Sequence, residues 1–179
     1  MPNWCENTLT IEGPKDELQK FLKFIGKGEE IAKKFIPYPK EFKKQDKVAS
    51  DYQEMLSKLD KNSRKLACAI HDSPRDSYNM GGYNWCCVNW GVKWDFDFED
   101  IDSGKDYIQV IFNTAWSPPT PVIHAISKRF PKLLLELQYR EEGMCFEGTY
   151  EAQGGEVLND FSDTIKEKGE EDENKKEEL

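Results

Sequence analysis

Residues 83–100 read YNWCCVNWGVKWDFDFED, and the fold depends on where this stretch is divided. Three of the chain's five tryptophans fall between Trp85 and Trp94, and the acids Asp95, Asp97, Glu99, Asp100 and Asp102 follow. From Val92 the even positions are Val92, Trp94, Phe96 and Phe98; the odd ones are Lys93, Asp95, Asp97 and Glu99. Alternation with period two predicts a strand with an apolar core face, Trp94 included, and an acidic outer face. Upstream the pattern fails, because Trp85 and Trp90 have opposite parity. A short helix over residues 83–90, closed by Gly91, accounts for that part, sets Tyr83, Cys87 and Trp90 together, and leaves Trp85 facing outward.

Downstream, DIDSGKD reads as a turn and YIQVIFN (107–113) as the returning strand of a hairpin. SPPTPVIHAISKRFP predicts a helix with a proline-rich lead, a stop at Pro131, and Val122, Ile126 and Phe130 inside. LLLELQY and MCFEGTYEA make a last hairpin around Glu142 and Gly143. Upstream, TLTIEG (8–13) is a half-buried strand, and Leu18, Phe21, Leu22 and Ile25 form the stripe of a helix ending at Gly26. Lysine-rich residues 27–91 read as an inserted helical subdomain, its main helix starting at Ser50, where Ser50 and Gln53 have capping-box spacing.

Without the insertion the order is β–α–β–β–α–β plus one strand. The expected class is therefore α+β, a ferredoxin-like split βαβ antiparallel sheet with two packed helices. A single domain over residues 1–156 is expected, followed by an acidic, disordered tail over 157–179, which carries nine acids against four lysines.

Composition narrows the function. The net charge is −9, although residues 33–66 hold ten basic side chains against five acids. An acid excess of this size argues against non-specific nucleic-acid binding by the whole surface. Five cysteines without a CxxC pair, and only two histidines, favour free thiols over a zinc site or a disulfide framework. No apolar run is long enough to span a membrane, and the N-terminus lacks the pattern of a signal peptide, so the cytosol is the expected location. No P-loop, GxGxxG or GxSxG is present, and neither His71 nor His124 sits in a catalytic pattern. No cofactor, no metal and no enzymatic activity are expected.

Four motifs carry a resemblance: MPNWCENTLTI at the N-terminus, NWGVKWD (89–95), FNTAWSPPTPVI (112–123), and the pattern Tyr139, Glu141, Glu142, Gly143, Phe146, Gly148. Together, over roughly residues 1–151, they resemble the YubB-like family of small ferredoxin-like proteins from phages and conjugative plasmids. The resemblance implies the fold, a variable lysine-rich middle and residence on a mobile element; it carries no chemistry.

Two candidate binding surfaces follow. The first is the acidic row Asp95, Asp97, Glu99, Asp100 and Asp102, which lacks the convergent spacing of a calcium loop and is expected to project from a strand as a solvated face or a phosphate-like ladder. The second rests on taking the first and third strands as parallel neighbours. Gly13, Gly91–Trp94 and Thr114–Ser117 then gather at one end with both helix N-termini, while Trp4 plugs the core at the other. At that end Trp85, Trp90, Trp116 and Ser117 either wedge the insertion against the sheet or offer stacking surfaces to a nucleotide or an oligonucleotide end. The expected function is an accessory protein of a mobile element that binds and inhibits a host protein or ribonucleoprotein, such as an RNA-guided defence nuclease, through its acidic surface. RNA binding or nucleotide sequestration is the alternative, and the oligomeric state stays open.

Overall fold

The computed structural model describes residues 3–70 and 74–165. His71 and residues 166–179 of the expected tail lie outside the described residues. The elements run β1 (Trp4–Glu12), α1 (Lys15–Ile25), α2 (Ile31–Phe35), α3 (Lys40–Ser57), α4 (Lys61–Ile70), α5 (Gly82–Asn89), β2 (Asp100–Ser103), β3 (Tyr107–Ala115), α6 (Thr120–Arg129), β4 (Leu134–Glu141), β5 (Phe146–Gln153) and β6 (Glu156–Thr164). The strands form one antiparallel sheet in the order β2-β3-β1-β4-β5-β6. Its first four members have the split βαβ order, so the α+β, ferredoxin-like class holds.

Each central strand alternates. Cys5, Leu9 and Ile11 on β1, Ile108, Val110 and Phe112 on β3, and Leu135 and Leu137 on β4 are buried. Helices α1 and α6 cover that face, with Leu18, Phe21 and Ile25 meeting Val122, Ile123, Ile126 and Phe130 in one apolar cluster. The Phe21 and Phe130 rings meet edge to face at 5.4 Å. Among the described residues no helix lies over the opposite face, in keeping with the glutamate and threonine at the outward positions of β1.

The inserted helices α2–α5 lie between α1 and β2, as the composition suggested. Their main helix, α3, starts at Lys40 behind Pro39, ten residues before the Ser50 capping box. Ala49 and Leu56, seven residues apart, supply its buried side, and Ser50 sits inside the helix, exposed. Local capping pattern is a weak guide when a proline upstream already fixes a helical start.

Residues 92–99 do not form a strand of the sheet. They run extended against the loop before α2: the Phe96 carbonyl accepts from the Ile31 N–H at 2.9 Å, and the Phe98 N–H donates to the Gly28 carbonyl at 2.8 Å. Phe96 stacks on Phe112 at 5.1 Å, so alternation reported the burial of Phe96 and Phe98 correctly and their ladder pairing wrongly. The hairpin partner of β3 is the four-residue β2, reached after Glu99.

The tail boundary also moves. Residues 156–164, placed beyond or at the edge of the domain by composition, are strand β6, paired along β5 with a bulge at Glu151/Ala152. Its side chains are mostly exposed, so it pairs through its backbone and shows no apolar alternation. The Tyr139 hydroxyl donates to the Phe161 carbonyl at 3.2 Å, and Tyr150 beneath is buried. A chain ended after Asn159 is therefore expected to melt about 4–8 °C below one ended after Ile165, equivalent to roughly 2 kcal/mol for a domain of this size. Equal melting temperatures in a calorimetric scan would show that the last half of β6 contributes nothing.

Candidate functional site

The pairing direction of β1 and β3 decides what meets what. They are antiparallel, with Trp4 opposite Ala115 and Glu12 opposite Tyr107. In the split βαβ order β1 is parallel to β2, and β3 enters between them in the opposite sense. The expectation of parallel neighbours is therefore corrected. Trp4 joins the Trp116 end, and Gly13, which packs on Leu133, lies at the other end together with the N-terminus of α1. Of the two helix N-termini expected there, only that of α6 is present.

A chain of hydrogen bonds ties this end together. The buried Asn7 side chain donates through Nδ2 to the Cys5 carbonyl at 2.8 Å and to Thr114 Oγ1 at 2.8 Å. Thr114 donates to the Ser117 carbonyl at 2.8 Å, and Ser117 donates to the Gly91 carbonyl at 2.5 Å. The Trp116 N–H donates to the Asn3 carbonyl at 3.0 Å. The carboxylate of buried Glu141 accepts from the N–H groups of Gly143 and Met144, fixing the turn that brings Met144 to the same end. Residues from all four sequence motifs thus meet here although they are dispersed over most of the chain.

The tryptophans divide differently from expectation. Trp90 is 2% exposed: its Nε1 donates to the Ile36 carbonyl at 2.9 Å, and its ring packs against Tyr38 and Trp85. Trp90 therefore holds the insertion on the sheet and offers no stacking surface. Trp85 is half-buried against the same cluster instead of facing outward. Trp94, expected in the core, is 41% exposed and meets Trp4 edge to face at 6.5 Å; Trp4 is itself 51% exposed. The bend after Gly91, whose φ is 77°, breaks the parity that placed Trp94 inside.

Trp116 and Ser117 line a groove of about 560 Å³ together with Tyr83, Lys93 and Met144. The Lys93 ammonium lies 4.4 Å from the Trp116 ring centroid and 5.9 Å from that of Tyr83. Lys93 was missed because it read as one outward residue of a strand, and Met144 because a turn methionine carries no signal of its own.

The acidic row also divides. Asp95 Oδ1 accepts from the N–H of Ala32 at 2.7 Å, and Oδ2 from that of Lys33 at 3.3 Å, so Asp95 caps α2 from another part of the chain. Burial pushes its carboxyl up from the ordinary value, against the downward pull of the N–H groups of Phe96, Ala32 and Lys33. Asp97 accepts from the Glu30 N–H at 2.7 Å. Asp95 and Asp97 are therefore structural ligands of the insertion and not a free ladder. Glu99, Asp100 and Asp102 differ: Glu99 accepts from Asn113 Nδ2 at 3.1 Å, and Asp100 and Asp102 lie opposite Ile111 and Gln109 on the uncovered sheet face.

That face is acidic across its width. Glu6 and Glu12 on β1, Glu136 on β4, Glu147 and Glu151 on β5, and Asp163 on β6 join Asp100 and Asp102. The basic side chain among its strand residues is Arg140, bonded to Glu147 at 3.1 Å. Burial pushes the thiols of Cys5 and Cys86 up to about 12 and about 11, so both are protonated and poorly nucleophilic at neutral pH. Among the described residues no helix is long and apolar enough to cross a membrane.

Two substitutions separate these roles. Trp90→Ala is expected to cost about 3–5 kcal/mol and Trp94→Ala about 1 kcal/mol in urea unfolding, the reverse of what alternation implies. Asp95→Lys is expected to lower the melting temperature by about 5 °C or more, and Asp102→Lys by less than about 2 °C. Equal effects within either pair would contradict the placement.

Residues 93–178 match the family described as the ferredoxin-like domain in Api92-like protein. An 80-residue stretch is 38% identical to the uncharacterized protein YubB of Escherichia coli (strain K12); it makes up 43% of this chain and 54% of that one. The chain thus spans about half the length of the curated relative it matches. The crystal structure of a protein api92 from Yersinia pseudotuberculosis superposes with a TM-score of 0.54 at 11% identity, over 93% of this chain and 99% of that chain, a likeness of fold alone. The chain is therefore ferredoxin-like in fold, and its second half is similar to the ferredoxin-like domain of Api92-like proteins.

Proposed function

We propose that this protein acts by binding, and that the uncovered face of its sheet engages a basic surface on a protein or ribonucleoprotein. The observation that carries the reading is the charge of that face: eight carboxylates spread over five strands against one guanidinium, which is itself paired. Asp100 and Asp102, two residues apart on β2, stand about 7 Å apart, and Glu136 opposite Glu151 and Glu147 opposite Asp163 repeat the charge about 4.8 Å across the strands, so the sheet holds these carboxylates at fixed spacings. Such an array steers and selects a partner of opposite potential. Exposed Ile111 and Phe161 on the same face add apolar anchors.

RNA binding of the kind that stacks bases on an open sheet is less well supported, because the central strand β1 presents Glu6, Thr8, Thr10 and Glu12 there where aromatics are needed. The setting, a mobile element acting on its bacterial host in the cytosol, rests on the resemblance of the four motifs to phage and plasmid proteins. A host defence effector with a basic nucleic-acid channel, such as an RNA-guided nuclease, is the partner class that fits both setting and charge.

The test uses purified full-length protein and a guide-loaded host nuclease. Stoichiometric protein is expected to inhibit DNA cleavage, and inhibition is expected to weaken as NaCl rises from about 0.1 M to about 0.5 M. The triple variant Asp100→Lys, Asp102→Lys, Glu136→Lys is expected to keep its fold by circular dichroism and to lose inhibition at least about tenfold. Undiminished inhibition by the folded variant would remove the acidic face from the mechanism, and unimpaired cleavage with the wild-type protein would remove this partner class.

A further inference from the structure

We propose that the groove beside Trp116 binds a free nucleoside 5′-monophosphate, independently of the acidic face. The groove, about 560 Å³, falls in the size range of small-ligand sites. Three observations mark it as a site held ready rather than a packing defect.

First, Trp116 sits at φ 73°, a left-handed conformation that a bulky side chain adopts only when its surroundings impose it. Here the backbone bond to Asn3 and the Thr114–Ser117–Gly91 hydrogen bonds on either side impose it. Second, the Trp116 Nε1 is buried and meets no acceptor among the described residues. Third, Lys93 forms no ion pair among the described residues within 4 Å; its ammonium rests over the Trp116 and Tyr83 rings.

The chemistry of the lining selects the ligand. A single ammonium with no carboxylate partner among the described residues calls for one compact anionic group. Two aromatic rings, with the polarizable Met144 thioether at the edge, call for a flat, delocalised body beside it. A phosphate attached through one sugar to a base supplies both parts in one small molecule. On binding, the phosphate takes Lys93 from the indole face as an ion pair and the base takes its place against the ring. The net charge of −9 opposes a longer strand, because each further phosphate adds repulsion without another lysine in the groove.

The experiment titrates full-length protein with the four ribonucleoside 5′-monophosphates, with adenosine, inorganic phosphate and a 5′-phosphorylated hexanucleotide as controls, following tryptophan fluorescence and melting temperature. At about ten times its dissociation constant, at least one monophosphate is expected to raise the melting temperature by about 3–6 °C. Adenosine and phosphate are each expected to bind at least about tenfold more weakly, since each supplies half of the contact. Lys93→Met is expected to weaken monophosphate binding at least about tenfold with the unliganded melting temperature unchanged. Trp116→Gly suits the left-handed backbone, so it is expected to fold and to lose binding. Absence of any shift, a shift reproduced by phosphate alone, unchanged affinity in Lys93→Met, or retained affinity in folded Trp116→Gly would each overturn the assignment. A hexanucleotide binding more tightly than every monophosphate would overturn the claim that the ligand is free.

Discussion

The antiparallel clasp of β1 between β3 and β4 is the constraint on which the rest of the molecule depends. It sets Trp4 opposite Ala115 and Cys5 opposite Glu141, so the N-terminal residues, the Trp116 loop and the β4–β5 turn share one end of the sheet. Buried Asn7 reinforces the clasp from inside. Its amide bonds Thr114, Thr114 bonds Ser117, and Ser117 bonds Gly91, a relay from the middle of the sheet to the segment that carries Lys93 and Trp94. A buried amide with its donors satisfied specifies a single register, because a one-residue slip would leave those donors unpaired in an apolar interior.

The same clasp leaves the sheet with two unequal faces. Helices α1 and α6 seal one, and the insertion closes its flank through Trp90 and the Asp95 cap on α2. The other face has no helix over it among the described residues and collects carboxylates from five strands. The two surfaces proposed to act are therefore consequences of one architecture: an electrostatic plane where no helix covers the sheet, and an aromatic groove where the strand ends meet α5. They are chemically opposite, one repelling anions and the other offering the Lys93 ammonium, so a single ligand class does not serve both.

Much of the frame was legible in the sequence because the strands β1, β3, β4 and β5 and the helices α1 and α6 each bury a regular stripe. The errors arise where side-chain pattern and backbone pairing part company. Phe96 and Phe98 alternate with acids as a strand would, yet their backbone pairs with the loop before α2. Strand β6 has no stripe, since the edge of the sheet asks only for backbone partners, and its acids imitate the composition of a tail. Asp95 reads as one member of a charged row, although its role as a helix cap depends on an N-terminus more than sixty residues earlier. The convergence of Trp4 with Trp116 needed strand direction, which local periodicity does not encode.

The most direct test of this account is the strand register in solution, measured by interstrand nuclear Overhauser contacts on isotopically labelled protein. Antiparallel pairing predicts backbone contacts of Cys5 with Thr114, Asn7 with Phe112, Leu9 with Val110 and Ile11 with Ile108, together with contacts between the Trp4 and Trp94 rings. Contacts that pair Cys5 with Ile108 and Ile11 with Thr114 would show the strands to be parallel. That result would separate Trp4 from the Trp116 end and dissolve both the groove and the relay that positions it.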